Sequence, residues 1–170
     1  EAKKNKIAVC NVPYYGENTV AEHTFALILD LSRKIHKAYM KTSRGDFSLE
    51  GLRGFDLKRK TLGIIGPGHI GQHVARMAKG FEMDILVTEH HPDKVLAKKF
   101  SWKSVSLKTL LKKSDVITLH VPYNKETHHL INMINIKDIK KGAILINTSR
   151  GGLIETDALI YALDNNIIEG

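Results

Sequence analysis

Short apolar runs of strand length alternate with stretches of helical spacing along most of this chain. The runs lie at 62–65, 85–88, 115–120 and 143–147, and the clearest helical stretches at 74–78, 107–113 and 155–163. Strand–helix–strand connections of this kind are right-handed crossovers between parallel strands. The pattern therefore predicts an α/β fold built on a doubly wound parallel sheet.

Four weaker patterns lie before or between these elements. A short strand is predicted at 7–13, where Pro13 would end it. Lys94 to Trp102 is predicted to form a short helix or loop, and Ser101 to Val105 a weak strand. Leu130 to Ile139 is predicted to form another short helix.

A broad apolar face predicts a long helix from Thr19 to Lys41, ahead of the first strand of the sheet. Asn18 or Thr19 is placed to cap this helix, and Glu22 follows Thr19 as in a capping box. Such a helix needs more to pack against than the sheet itself. We therefore expect a neighbouring domain or subunit to contact it.

A glycine motif joins the first strand of the sheet to its helix. Gly66, Gly68 and Gly71 fit the spacing G-x-G-x-x-G between an apolar run and a helical stretch. The first glycine permits a sharp turn, the second lets a pyrophosphate approach the backbone, and the third lets the helix pack closely on the sheet. The N–H groups and the positive dipole end of the helix would then face the phosphates.

An acidic residue follows the next strand. Glu89 lies eighteen residues after Gly71, where a dinucleotide-binding fold places the carboxylate that accepts hydrogen bonds from the adenosine ribose. The alternative is a solvated carboxylate at a strand end. A carboxylate repels a 2′-phosphate, so Glu89 favours NAD over NADP, although His90 and His91 would offset the repulsion if they were protonated.

Ligands of such sheets bind outside the carboxyl ends of the strands, at the point where the strand order reverses. The segments His120 to Pro122 and Asn147 to Arg150 are therefore the other candidate site segments. Arg150 leaves a buried strand and is followed by two glycines, so it could hold a carboxylate through two hydrogen bonds and polarise a neighbouring carbonyl. An arginine held in a salt bridge within a loop is the alternative.

Composition and charge narrow the class of protein. The 170 residues suffice for one domain, and the single cysteine, Cys10, excludes an internal disulfide and favours a reducing compartment, the cytoplasm. The net charge of +8 comes from scattered lysines with little aromatic interleaving, which favours a solvated surface over a nucleic-acid site. We also predict no membrane segment and no metal site.

Six segments together resemble the D-isomer-specific 2-hydroxyacid dehydrogenases. They are Asn11–Pro13, Val20–His23, Thr61–Gly71, Leu119–Pro122, Glu126–Asn132 and Gly142–Gly152. The resemblance implies a Rossmann-type NAD-binding domain, truncated from a two-domain enzyme. Residues 1–17 would then be the tail of the substrate domain or a linker, and residues 18–170 the dinucleotide-binding domain, with 19–41 as the interdomain helix that helps to form a homodimer.

The resemblance also implies roles for particular residues. The cofactor would be held by Gly66, Gly68, His69, Ile70, Gly71, Glu89, Val121, Pro122, Thr127, Thr148, Ser149 and Arg150. Many members have an arginine in place of His69 and an aspartate in place of Glu89. Arg150 would be the catalytic residue of this segment, which grips the carboxylate of the 2-keto or 2-hydroxy acid. The family's catalytic histidine and its carboxylate partner lie beyond the last matched motif, so we expect the segment alone to bind cofactor without turnover.

Two other classes remain open from the sequence. The NAD-responsive corepressors share these motifs and use the fold chiefly to bind partners. A methyltransferase-like domain that binds S-adenosylmethionine also has a glycine turn and a strand-end acid, although Arg150 and the three-glycine spacing disfavour it. The identity of the 2-hydroxy acid is left open, because selectivity for its side chain depends on the other domain.

Overall fold

The computed structural model describes residues 1–170. Its centre is a parallel sheet of five strands, in the order β3-β2-β1-β4-β5. The strands are β1 (Thr61–Ile65), β2 (Asp84–Thr88), β3 (Trp102–Ser104), β4 (Val116–Leu119) and β5 (Ile144–Asn147). The helices are α1 (Glu17–Arg33), α2 (Ile35–Thr42), α3 (His69–Gly80), α4 (Lys94–Phe100), α5 (Leu107–Lys113) and α6 (Thr156–Asp164), with 3₁₀ turns at Ile136–Asp138 and Gly151–Leu153.

The side chains of successive strand residues pack into two separate hydrophobic cores, one on each face of the sheet. On one face Ile64 and Val116 pack with apolar residues of α1, α3 and α4. On the other face Ile65 and Ile117 pack with residues of α5 and α6. The near-continuous apolar runs of the sequence are explained by this arrangement, because a strand covered on both faces has no polar side. The predicted doubly wound parallel sheet is confirmed.

The long helix predicted over 19–41 is instead two helices. Lys34 separates α1 from α2 with a left-handed φ of 56°. Its side chain is buried and its ammonium group pairs with Glu169, near the other end of the chain. The predicted cap is also wrong, since α1 begins after Gly16 and has no side-chain cap. Asn18 bonds to the Glu22 side chain instead.

Two other predicted elements do not form as expected. Residues 7–13 form no strand and are exposed, and no strand of the sheet pairs with them. The helix predicted over 130–139 is reduced to one 3₁₀ turn. There the Asn132 side chain accepts hydrogen bonds from the backbone N–H groups of Ile134 and Asn135, at 3.0 and 3.3 Å. Asparagine side chains that bond to the backbone in this way compete with helix formation.

The weak patterns on the other edge of the sheet are confirmed. The stretch from Lys94 forms α4, capped by Asp93, whose carboxylate accepts from the N–H groups of Val95 and Leu96. The weak strand is β3, which pairs with β2 in register. No helix combines the length and the apolar character that crossing a bilayer would require.

Candidate nucleotide-binding site

The strand order reverses beside β1, whose two neighbours are β2 and β4. Connections leave these strands in opposite directions along the sheet, which opens a crevice at their carboxyl ends. A cavity of about 470 Å³ occupies the crevice, and we call it the main cavity. Its walls come from β1, β2, α5 and the segment after β4, and they include Gly66, Pro67, Gly68, Glu89, Leu107, His120, Val121, Pro122 and Thr127.

The glycine turn forms the floor of the main cavity. Gly66 has a left-handed φ of 88°, and a Cβ there would lie 2.6 Å from Cγ1 of Val121. A side chain at this position would therefore strain the backbone and collide with the segment after β4. A Cβ on Gly68 would meet no atom within 4 Å.

The residue that precedes α3, Gly68, lines the main cavity, and no side chain caps the helix. The first N–H groups of a helix have no partner within the helix, and together with the dipole they form a ready site for an anion. An open, uncapped helix start over a glycine is the arrangement that a pyrophosphate needs.

Glu89 lies at the opposite wall, just after β2, and is half-buried. The Ser104 hydroxyl donates a hydrogen bond of 2.6 Å to Oε1 of this carboxylate. Glu89 is therefore hydrogen-bonded to a residue of β3 at the protein surface. The sequence does not predict the contact with Ser104, because this contact depends on the pairing of β2 with β3 and no local pattern indicates it.

His120 directly follows β4 and lines both the main cavity and a second cavity. The second cavity, about 420 Å³, also contacts Asn11 to Tyr15, Glu17, Gly68, His69 and Ile70. Both ring nitrogens of His120 are buried and lack a hydrogen-bond partner. Burial lowers the pKa of this imidazole to about 4, so the ring is neutral at physiological pH. The sequence offered no sign of this burial.

Thr127 is buried and its hydroxyl shapes the loop after β4. Its Oγ1 donates to the carbonyl of Pro122 at 2.6 Å and accepts from the N–H of Asn124 at 2.9 Å. The loop is thereby fixed against Val121 and Pro122, which line the main cavity with it. The hydroxyl is thus already engaged within the protein.

The segment after β5 is fixed by short-range hydrogen bonds. Asn147 accepts from the N–H of Ser149 at 3.0 Å and donates to the carbonyl of Arg150 at 2.9 Å. The Ser149 hydroxyl donates to the carbonyl of Leu119, which ties this segment to the end of β4. The Thr148 hydroxyl lies 3.1 Å from that of Thr24 on α1.

Arg150 itself is exposed, and its guanidinium group donates only to the carbonyl of Ser149, at 3.0 Å. No carboxylate lies within ion-pair distance of it. Arg150 is therefore not held in a salt bridge, which was the alternative from the sequence. The guanidinium group remains available to an external anion.

Ten of the twelve predicted cofactor residues line one of three cavities. Gly66, Gly68, Glu89, Val121, Pro122 and Thr127 share the main cavity, whereas His69 and Ile70 line the second. Thr148 and Ser149 line a third cavity, where they face Thr19, Val20, His23 and Leu27 of α1. Gly71 packs behind the turn, where a Cβ would lie 2.6 Å from the carbonyl oxygen of Gly66. Arg150 lies outside these three cavities.

Comparisons with known proteins give the same assignment. The family model for the NAD-binding domain of D-isomer specific 2-hydroxyacid dehydrogenases matches residues 25–170. A 2-hydroxyacid dehydrogenase homolog of Zymomonas mobilis is 44% identical over 163 residues, 95% of this chain and 49% of the relative. The apo structure of D-lactate dehydrogenase from Escherichia coli matches with a TM-score of 0.92 at 42% identity, over 98% of this chain and 52% of that one.

A second solved structure carries ligands. D-lactate dehydrogenase from Aquifex aeolicus, complexed with NAD and lactic acid, matches with a TM-score of 0.89 at 42% identity, over 99% of this chain and 51% of that one. The chain thus spans about half the length of the relatives that it matches. It belongs to the D-isomer specific 2-hydroxyacid dehydrogenase family, of which it represents the NAD-binding domain.

Proposed function

We propose that this chain is the cofactor-binding part of an enzyme that interconverts a D-2-hydroxy acid and its 2-keto acid with NAD. One observation carries the proposal: Gly68, which directly precedes the uncapped helix α3, and Glu89 line one cavity where the strand order reverses. The first feature suits a pyrophosphate and the second a ribose diol. The dehydrogenase names of the relatives favour an enzyme over a corepressor.

The residues present fit a dinucleotide. The open space over Gly68 and the start of α3, at His69 and Ile70, would hold the pyrophosphate. The Glu89 carboxylate would accept hydrogen bonds from the adenosine ribose, and its charge would exclude a 2′-phosphate. Val121, Pro122 and Thr127 would contact the adenosine side of the cofactor.

The segment after β5 would contact the nicotinamide end of the cofactor and the substrate. Thr148 and Ser149 would lie beside the nicotinamide, which supplies or accepts a hydride when bound. Arg150 would grip the substrate carboxylate with two hydrogen bonds and polarise the neighbouring carbonyl. Its lack of a carboxylate partner within the chain supports this role. The proton donor would come from outside the 170 residues, as the family resemblance implies.

The remaining features fit a larger assembly. Residues 1–17 would belong to the substrate domain or a linker, residues 18–170 to the cofactor domain, and α1 with α2 would form the connection between domains. Five large apolar side chains on or beside α2 are exposed: Ile35, Tyr39, Met40, Phe47 and Leu49. We infer that they meet a second copy in a homodimer, because an apolar surface of this kind marks an interaction site.

The dimer has a direct test. Phe47 and Leu49 are 79% and 83% exposed, so replacing both with Asp should leave the fold intact. The double variant should be a monomer, with half the molar mass of the wild-type dimer in light scattering. The matched control is Ile134→Asp, since Ile134 is 88% exposed on another surface. An unchanged mass for the double variant would remove this surface from the interface. We place the enzyme in the cytoplasm, acting on a small 2-keto or 2-hydroxy acid, with neither nucleic acid nor membrane as partner.

Cofactor binding is tested by melting temperature. A ligand at about a hundred times its Kd stabilises a protein by about 2.7 kcal/mol, a shift of a few degrees at this size. NADH should produce this shift and NADPH clearly less, and Glu89→Arg should reverse the preference. Glu50→Arg makes the same charge change at an exposed site outside the main cavity, so this variant should keep the wild-type preference for NADH. An equal response to both nucleotides in wild type would refute the ribose role of Glu89.

A further inference from the structure

The Glu89 carboxylate is not positioned by β2 alone. Glu89 follows the last residue of that strand, and its side chain has one more rotatable bond than the aspartate usual at this place in the family. A longer acid samples more orientations, and fixing it when a ligand binds lowers affinity. Something must hold the carboxylate toward the cavity if it is to accept from a diol with little loss of entropy.

Ser104 on β3 supplies that hold. The parallel register pairs Val87 with Ser104, and the N–H of Val105 donates to the carbonyl of Val87 at 2.8 Å. These backbone contacts fix the serine one strand away from Glu89. Its Oγ then donates to Oε1 at 2.6 Å, in the range of a strong hydrogen bond to a charged acceptor.

The donor and acceptor count agrees with a bound diol. A hydroxyl has one proton to donate, and Ser104 gives it to Oε1. An ionised carboxylate can accept about four hydrogen bonds, so Oε2 and the second lone pair of Oε1 remain. Two ribose hydroxyls could donate to the carboxylate while the serine bond persists.

We propose that Ser104 is a positioning residue for cofactor recognition: its hydroxyl holds the Glu89 carboxylate toward the adenosine ribose and so sets the preference for NADH over NADPH. The inference rests on the proposed ribose role of Glu89. Ser104 touches the carboxylate and acts through it. In its absence the acid would turn toward solvent, which weakens the diol contact and also relieves repulsion of a 2′-phosphate.

The test is Ser104→Ala in the complete enzyme, with the Kd of NADH and of NADPH measured by fluorescence titration. Because Ser104 acts on the ligand only through Glu89, we expect the NADH Kd to rise about three- to ten-fold, less than the loss of a direct hydrogen bond to a charged group would give. The NADPH Kd should rise less or fall, so the NADPH-to-NADH ratio drops. Ser104→Thr keeps the hydroxyl and should restore the ratio. Equal weakening of both nucleotides, or no change in either, would overturn the proposal.

Ser106 offers a matched control. Its hydroxyl accepts from the N–H of Thr109 and caps α5, two residues along the same connection. Ser106→Ala should lower the melting temperature and leave the nucleotide ratio unchanged. A double-mutant cycle separates the two proposals: Glu89→Ala should lower NADH affinity by itself, and Ser104→Ala should add nothing in that background. If Glu89→Ala has its effect and Ser104→Ala has none in wild type, only the positioning role fails; if Glu89→Ala is silent, the ribose role itself fails.

Discussion

The buried imidazole of His120 should make this protein less stable as the pH falls from about 6.5 to about 4. Burial lowers its pKa to about 4, from an unperturbed value of 6.5. Between about pH 6.5 and pH 4 the His120 imidazole is protonated in the unfolded chain but remains neutral in the folded protein. This contribution to stability is complete above 6.5 and is lost as the pH falls toward 4.

The size of the loss follows from the shift. Each pKa unit corresponds to 1.36 kcal/mol, so the 2.5 units between 6.5 and 4 predict a total of about 3 kcal/mol. About 2.5 kcal/mol of this should be gone at about pH 4.5. For a domain whose whole stability is about 5–15 kcal/mol, such a loss is easily measured.

The variant His120→Asn isolates the effect. It keeps a polar side chain that does not titrate, and urea unfolding at about pH 7.5 and about pH 4.5 gives the free energy of unfolding of each protein. Other groups, such as Glu17 and His69 beside the second cavity, are present in both proteins and cancel in the difference. The variant should gain about 2.5 kcal/mol relative to wild type between the two pH values. A difference that stays constant with pH would show that the imidazole is hydrated, and the reasoning from burial would fail.

Three further predictions follow from single contacts. Gly66→Ala should lower the free energy of unfolding by about 1–3 kcal/mol, because of its left-handed φ and its clash with the Val121 side chain, whereas Gly68→Ala should keep the melting temperature and weaken NADH binding. Arg150→Lys should leave urea unfolding unchanged within about 0.5 kcal/mol and raise the substrate KM sharply at a nearly constant NADH Kd; equal loss of both would make the arginine structural. Burial raises the pKa of Asp115, but hydrogen bonds from Lys140 and the backbone of Thr61 more than offset it and lower the pKa. Asp115→Ala should therefore cost about 1–3 kcal/mol at neutral pH, and urea unfolding should show that difference shrinking as the pH falls below about 3.8.

The elements that the sequence predicted well are those whose signal is local. The runs that became β1, β2, β4 and β5 are apolar on both faces, and only a sheet covered on both sides accounts for that. The glycine turn is also predicted well, because the spacing of its glycines is typical of one backbone conformation. These segments also carry most of the main cavity.

The helix predicted over 130–139 failed for a local reason, the hydrogen bonds of Asn132, but other features depend on residues far apart in the chain. The apolar face of the first helix continues past Lys34, so periodicity gave no reason to break it. The break depends on a left-handed residue whose ammonium group pairs with Glu169, far along the chain. The buried ring of His120 and the bond between Ser104 and Glu89 depend in the same way on which strands lie side by side.

The glycine motif shows how far a motif can be interpreted before the fold is known. By spacing alone Gly66 and Gly68 belong to one phosphate-binding signature. In the structure the first is enclosed by the segment after β4, whereas a side chain on the second would project into open space. The first is therefore needed to bring β1 and β4 together at the crevice, whereas the second would leave room for the cofactor that we propose. Stability and cofactor affinity should consequently respond to different members of the same motif, because the strand order places a protein neighbour over one glycine and none over the other.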